Sequence, residues 1–113
     1  MKRFQISVIT GAALIALAAL APAHAADADA AQALFKKNQC TKCHDVAKKK
    51  KGPSLKDIAA KYKGKAEGAD KVTKAMTTGP KVKFDDGSEE EHKVIDTKDA
   101  KEIKNLVDWI LAN

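Results

Sequence analysis

Both cysteines of the chain fall within five consecutive residues, Cys40-Thr41-Lys42-Cys43-His44, and a histidine directly follows the second one. This grouping is the strongest constraint in the sequence, because two thiols and an imidazole so close together indicate a specific chemistry such as a disulfide, a metal site or a prosthetic group. The rest of the sequence decides which chemistry the group serves.

The N-terminus has the layout of a secretory signal peptide. Two basic residues precede an apolar run that ends near Leu20, which is too short for a comfortable membrane span. Ala23 and Ala25 then form an A-x-A cleavage pattern. We therefore predict a signal peptide at residues 1–25 and one exported, periplasmic domain at residues 26–113. A retained N-terminal anchor is the alternative.

A domain formed by residues 26–113 is small and has few large side chains for a core. Its aromatic side chains are Phe35, Tyr62, Phe84 and Trp109. Domains of this size commonly need a disulfide, a metal or a large apolar cofactor to complete the interior. The two cysteines are the obvious point of attachment for such a group.

Three kinds of chemistry fit the cysteine-histidine group. A thioredoxin-like dithiol site shares the C-x-x-C spacing, but no βαβ pattern surrounds it here. A Cys2His2 zinc site needs His44 and His92, which lack the usual H-x3-5-H spacing. In C-x-x-C-H haem attachment, Cys40 and Cys43 form thioethers to the two vinyl groups while His44 binds the iron. With the export signal and the small core, the motif predicts one covalently bound haem c.

Apolar periodicity predicts an all-α domain of about four helices around the haem. The first helix spans residues 27–39 and leads into the cysteines. The second has Ser54 as its N-cap and Gly64 just past its end. A third, shorter helix covers residues 68–79. The last helix starts at Thr97 and runs to the C-terminus.

The segment between the third and last helices, residues 80–96, is too long for a simple helix connection. Val82 and Phe84 alternate with lysines before Asp86-Gly87. This pattern fits either a short β-hairpin near the distal side of the haem or a solvated loop. Lysines outnumber acids in residues 26–83, and acids outnumber lysines in residues 84–113, so the molecule should have a charge dipole.

The chain resembles the bacterial class I cytochromes c over essentially all of residues 26–113. The matching features are "ALFKKNQCTKCH", "KGPSL", "DIAAKYKG" and "NLVDWIL". The resemblance implies that the first and last helices cross beside the haem, with Phe35 and Trp109 at or near the crossing. It also implies that the Pro53 carbonyl accepts a hydrogen bond from His44 Nδ1, which orients the imidazole and increases its donor strength.

The sixth iron ligand departs from the family pattern. Class I members usually supply a methionine from a loop shortly before the last helix, and this chain has none there. His92 stands in that position and is the only spare imidazole of the predicted domain, so we expect it to bind the iron opposite His44. Met76, which fits a flexible core side chain, is the alternative ligand, and Lys93 is a minor one. An exposed His92 with an open or otherwise filled site is the remaining interpretation.

Lys42 and Lys48–Lys51 lie within or just after the haem motif. They fit either a solvated face or a patch that docks an acidic redox partner. Nucleic acid is a poor candidate partner, because the predicted domain lacks arginine and interleaved aromatic residues.

These features together predict a periplasmic, monomeric electron carrier with one haem. We expect it to have no enzymatic activity, and no membrane attachment once the signal peptide is removed. The alternative comes from a different class of protein. In that reading the chain is a haem-based module in which a weakly held distal group yields to a small gas.

Overall fold

The computed structural model describes residues 25–113, which form four α-helices and one two-stranded antiparallel hairpin. The predicted all-α class is confirmed, with the hairpin as its only sheet among these residues. The predicted signal peptide lies, apart from Ala25, outside the described residues. Within residues 25–113, no helix combines the length and the apolar character needed to cross a membrane.

The first helix, α1, spans Ala28–Lys37 and begins at an aspartate cap. The side chain of Asp27 accepts a hydrogen bond from the Ala30 amide at 3.1 Å, which satisfies one of the free N–H groups of the first turn. The helix ends at Asn38, where the chain turns into the cysteine motif. Its buried residues, Ala31 and Phe35, lie one turn apart and face the core.

The second helix, α2, spans Leu55–Tyr62 and has the cap that its sequence predicts. Ser54 Oγ accepts a hydrogen bond from the Asp57 amide at 3.1 Å. Leu55 and Ala59 are buried on one face. The third helix, α3, spans Gly68–Thr78 and ends at Gly79, whose φ of 62° is a left-handed conformation typical of helix ends.

The last helix, α4, spans Ala100–Leu111, so the predicted start at Thr97 is wrong by three residues. The reason is a cap that the periodicity does not reveal. Asp99 is the N-cap, and its side chain accepts a hydrogen bond from the Lys101 amide at 2.8 Å. Thr97 lies before this cap, where its Oγ1 accepts from the Asp99 amide at 3.1 Å. Thr97 therefore stabilises the approach to the helix rather than its first turn.

The core forms where α4 packs against α1, α2 and α3. Its most deeply buried side chains include Leu55 and Leu106, at 1% and 0% exposure. At the crossing of α1 and α4, Phe35 and Trp109 make an edge-to-face contact. The other buried apolar members of this cluster are Ala31, Val72, Met76, Ile95, Val107 and Ile110.

The hairpin pairs β1, Lys81–Lys83, with β2, Glu89–Glu91. In its register lysines lie opposite glutamates at both ends, which is a favourable cross-strand arrangement. Asp85, Asp86 and Gly87 form the turn, and Gly87 has a φ of 87° that suits glycine. Of the two structures that the sequence left open for this segment, the hairpin is the one that forms.

Candidate haem-binding site

The two cysteines lie on a tight turn directly after α1. A short 3₁₀ helix spans Cys40–Lys42, and the amides of Cys43 and His44 both donate to the Cys40 carbonyl, at 3.2 and 2.9 Å. Both thiols are half-buried and free of each other. The turn therefore keeps the two thiols and the imidazole within one compact unit, as attachment of one prosthetic group requires.

His44 is oriented by a backbone carbonyl. Its Nδ1 lies 2.7 Å from the Pro53 carbonyl oxygen. A carbonyl oxygen can only accept a hydrogen bond, so Nδ1 carries the proton and donates it. This leaves Nε2 as the nitrogen with a free lone pair, and it is the tautomer that a histidine ligand to a metal needs.

Gly52 allows the loop after His44 to curl beneath the imidazole ring. Its amide donates to the Cys43 carbonyl at 2.8 Å. A Cβ atom added at this position would lie 2.6 Å from His44 Cε1 and 3.1 Å from the Cys43 carbonyl oxygen. Any side chain here would push the histidine away, and only the folded loop reveals this requirement.

Burial lowers the pKa of His44 below its ordinary value, while the hydrogen bond to Pro53 opposes this effect and the neighbouring His92 adds to it. A lowered pKa favours the neutral imidazole, which is the form that binds a metal. Burial raises the pKa of the Cys40 thiol. A raised pKa reduces the thiolate fraction, so the Cys40 thiol lacks the feature that makes a cysteine reactive.

His92 directly follows β2 and faces His44. The centroids of the two imidazole rings are 6.0 Å apart, and the ring planes are tilted by 42°. The His92 amide donates to the Pro80 carbonyl at 2.9 Å. Its ring Nδ1 lies 2.9 Å from the Lys93 carbonyl oxygen, so this ring also donates its proton to the backbone and keeps Nε2 free.

The separation of the two rings fits a metal ion between them. With metal–nitrogen bonds of about 2 Å on either side, two imidazole rings on one axis would have their centroids roughly 6 Å apart. Two imidazoles that could bind the iron and two adjacent thiols that could form thioethers are the groups that a covalently attached haem requires. A groove of about 220 Å³ lies beside His44, and Phe35, Thr41, Lys50 and Trp109 are among its lining residues.

The alternative ligand Met76 occupies a different environment. Its side chain is 6% exposed and belongs to the core cluster. The Met76 carbonyl accepts a hydrogen bond from the Ile95 amide at 3.0 Å. The side chain that faces the His44 ring is that of His92.

The lysine loop, residues 48–51, is partly tied to the hairpin, which the sequence did not suggest. Lys49 forms an ion pair with Asp85 at 2.6 Å, and Lys51 forms one with Glu90 at 3.4 Å. The Lys51 ammonium also lies 5.4 Å from the centroid of the Phe84 ring. The Lys50 ammonium donates to the Thr41 carbonyl at 2.5 Å. Three of the four lysines of the loop are thus engaged within the molecule, two of them with the hairpin that leads to His92.

A family model described as cytochrome c matches residues 28–113 of the chain. The match begins at the first residue of α1 and ends at the C-terminus. It therefore includes the cysteine turn, both histidines and all four helices.

Several named proteins are similar to the chain. The solved class 1 cytochrome MtoD from Sideroxydans lithotrophicus ES-1 is 54% identical, with a TM-score of 0.74, and the match covers 78% of this chain and 97% of that one. Cytochrome c-552 of Nitrosomonas europaea is 41% identical over 86 residues, which are 76% of this chain and 77% of that relative. Cytochrome c-551 of Pseudomonas denitrificans is 44% identical over 48 residues, so the matched part spans 42% of this chain and 58% of that relative.

Proposed function

The chain belongs to the cytochrome c family, and from this premise we propose that it is a periplasmic carrier of single electrons whose haem iron is bound by His44 and His92. The family attaches one haem c covalently, and Cys40 and Cys43 are the residues proposed to form its two thioethers. When bound, the haem supplies an iron that cycles between the ferrous and ferric states.

One observation carries the ligand proposal. The rings of His44 and His92 face each other at a centroid distance of 6.0 Å, and each ring has its Nδ1 beside a backbone carbonyl. The backbone therefore holds both imidazole rings in a fixed orientation. Oriented ligands change little between the two iron oxidation states, which suits a protein that only passes an electron on.

An electron carrier whose iron would be held by both His44 and His92 needs no substrate site on the iron. On this basis the protein is proposed not to be an enzyme. A second imidazole in place of a methionine favours the ferric state and lowers the potential relative to a His–Met haem. The imidazole hydrogen bonds to the Pro53 and Lys93 carbonyls act in the same direction, because they strengthen both nitrogen donors.

Redox partners are proposed to be acidic proteins that dock near Lys42 and the lysine loop. Lys42 and Lys48 are exposed, and neither side chain forms an ion pair with another residue in the range 25–113. Lys49 and Lys51, by contrast, are held by hairpin acids. The unpaired positions contribute most to steering, since their charge is not neutralised locally. The protein is proposed to act as a monomer.

The periplasmic location rests on the sequence of residues 1–25, with its basic start, apolar run and A-x-A pattern. Cleavage there would release residues 26–113 as the cytochrome c domain. Attachment of haem to C-x-x-C-H after export fits the same route.

Substitution of the proposed distal ligand tests the function. His92→Met should keep the ferric haem low-spin and raise its potential, while His92→Ala should let ferrous protein bind carbon monoxide. Met76→Leu is the matched control, because it replaces a buried side chain with one of similar volume at a cost usually under about 1.5 kcal/mol. A sulfur-to-iron charge-transfer band in the oxidised wild-type spectrum, or a His92→Ala spectrum equal to wild type, would overturn the assignment. Carbon monoxide binding by the wild type would support the gas-binding alternative instead.

A further inference from the structure

Asn38 is one of two buried polar side chains in the described part of the chain, with 2% of its surface exposed. Both amide atoms of the side chain are hydrogen-bonded. Nδ2 donates to the Leu34 carbonyl at 3.0 Å, and Oδ1 accepts from the Asp96 amide at 2.9 Å. The second of these bonds joins residues 58 positions apart in the sequence.

The Asn38–Asp96 hydrogen bond connects two segments of the haem site. Asn38 comes two residues before Cys40, at the end of α1. Asp96 comes four residues after His92, at the end of what we call the distal segment, residues 92–96. The bond therefore joins the segment that contains the cysteine turn to the segment that contains the second imidazole.

The other backbone anchors of the distal segment attach it to a different part of the fold. The His92 amide donates to Pro80, and the Ile95 amide donates to Met76, at 2.9 and 3.0 Å. Both of these acceptors lie at the end of α3 or just beyond it. An ion pair between Lys37 and Asp96 also reaches the α1 side, but it is exposed, and exposed pairs contribute little to stability.

We propose that Asn38 is a positioning residue for the distal ligand. Its side chain fixes the spacing between the cysteine turn and the distal segment, and so holds the His92 ring opposite His44. This inference rests on the proposed function, in which His92 binds the iron. Release of His92 then requires movement of the distal segment, and the Asn38–Asp96 bond resists that movement.

The first test measures how often the distal side opens. Cyanide binds ferric haem only after His92 has left, so its apparent affinity is proportional to the open fraction. Asn38→Ala removes the buried acceptor of the Asp96 amide. A lost buried hydrogen bond is expected to raise cyanide affinity of the holoprotein roughly 10-fold.

Asn105 provides a matched control. Its Oδ1 accepts from the Asp27 amide at 2.7 Å, and its Nδ2 donates to the Asp27 carbonyl at 2.9 Å. It too joins distant segments, 78 residues apart, but neither segment contains a histidine of the site. Asn105→Ala should weaken the fold while changing cyanide affinity by less than about 2-fold.

A conservative variant separates positioning from general packing. Asn38→Asp keeps an acceptor oxygen for the Asp96 amide and loses the side-chain bond to Leu34. The Leu34 carbonyl still accepts from the Asn38 backbone amide at 3.1 Å. Asn38→Asp also places a carboxylate at a buried position with one oxygen near the Leu34 carbonyl, so it should destabilise the fold at least as much as Asn38→Ala. Because it keeps the acceptor for the Asp96 amide, its cyanide affinity should nonetheless lie closer to wild type than that of Asn38→Ala.

A second measurement needs no variant. Because coupling between two events is reciprocal, displacement of His92 by cyanide must weaken the Asn38–Asp96 bond. Saturating cyanide should thus speed hydrogen exchange at the Asp96 amide in the wild-type holoprotein. The amide of Ile103, which donates to Asp99 within α4 at 3.0 Å, should be unaffected.

The outcomes distinguish this inference from the proposed function. Equal cyanide affinities for Asn38→Ala and Asn105→Ala, or equal effects of cyanide on the Asp96 and Ile103 amides, overturn the role of Asn38 even if His92→Ala opens the site. If His92→Ala leaves the spectrum unchanged, the ligand assignment itself is wrong. If Asn38→Ala does not fold, the exchange measurement decides alone.

Discussion

Phe35 of α1 and Trp109 of α4 meet edge to face, with ring centroids 5.6 Å apart and planes at 66°. Aromatic pairs favour this geometry, which adds to the stabilisation from buried area. The contact joins the first and last helices, and the first of them leads directly into the cysteine turn. Its strength therefore bears on the whole fold as well as on the haem site.

Phe35→Ala should lower the free energy of unfolding of the haem-loaded protein by about 3–5 kcal/mol, because it leaves a cavity in the core. Phe84→Ala is the control, since Phe84 is only half-buried and lies on the hairpin. Phe84→Ala should lower the free energy of unfolding by clearly less than Phe35→Ala does. Guanidinium unfolding followed by far-ultraviolet circular dichroism measures both. Equal decreases in the free energy of unfolding would show that the contact at the helix crossing contributes no more to stability than the Phe84 side chain does.

Gly52→Ala should disturb the proximal ligand. The new Cβ would lie 2.6 Å from His44 Cε1, so the ring or the loop has to move and the hydrogen bond to Pro53 weakens. We expect a loss of about 1–3 kcal/mol in stability, as for other overpacked sites. The reduction potential should rise as well, because a weaker hydrogen bond makes the imidazole a poorer donor.

Gly64→Ala separates strain from ligand effects. Gly64 has a φ of 73°, and a Cβ there would meet no atom within 4 Å. The substitution should cost about 1–2 kcal/mol of backbone strain. The reduction potential of the Gly64→Ala variant, measured by protein-film voltammetry, should equal that of wild type. A shift in potential as large as that of Gly52→Ala would mean that the proposed contact with His44 is not the cause.

Blocking haem attachment should leave the chain largely unfolded. Cys40→Ala combined with Cys43→Ala removes both thioethers, and a domain this small with so few aromatic residues buries too little surface by itself. Circular dichroism of the purified haem-free protein should show little helix and no sharp thermal transition. A cooperative transition would mean that the helices are stable without the haem.

Reversing one unpaired lysine should slow electron exchange with an acidic partner. Lys48→Glu is the variant, because Lys49 and Lys51 are paired with hairpin acids and their reversal would also disturb the hairpin. The slowing should be larger at low salt, since exposed charges act over about 10 Å at 0.1 M ionic strength. Lys74→Glu on α3 is the charge-matched control. Stopped-flow rates that fall equally at every ionic strength would point to structural damage instead.

The helices could be predicted from the sequence because their signals are local. Ser54 and the apolar residues of α2 lie within two turns, and the structure has the same cap. The start of α4 could not, because Thr97 and Asp99 are both good caps and only side-chain geometry selects between them. The hairpin stayed ambiguous for another reason. Strands of three residues are stabilised partly by distant contacts such as Lys49–Asp85.

Some residues of the candidate site could be predicted from the sequence, and others could not. The roles proposed for Cys40, Cys43 and His44 come from one short motif, and that of His92 from its position along the chain. The requirement for glycine at position 52 and the buried bond of Asn38 were not predicted, because each depends on atoms that meet only after folding. Asparagine is common at helix ends for purely local reasons, such as capping. Nothing in the sequence indicates that its partner would be Asp96.

The hydrogen bonds on the two sides of the site differ in the length of chain that they close. His44 and Pro53 are nine residues apart, whereas Asn38 and Asp96 are 58 apart. Closing a longer loop costs more conformational entropy, and contacts distant in sequence form late in folding. The surroundings of His44 can therefore assemble from one short stretch soon after haem attachment. The surroundings of His92 are completed only when the C-terminal part docks, and they should be the first part of the site to open in the native protein.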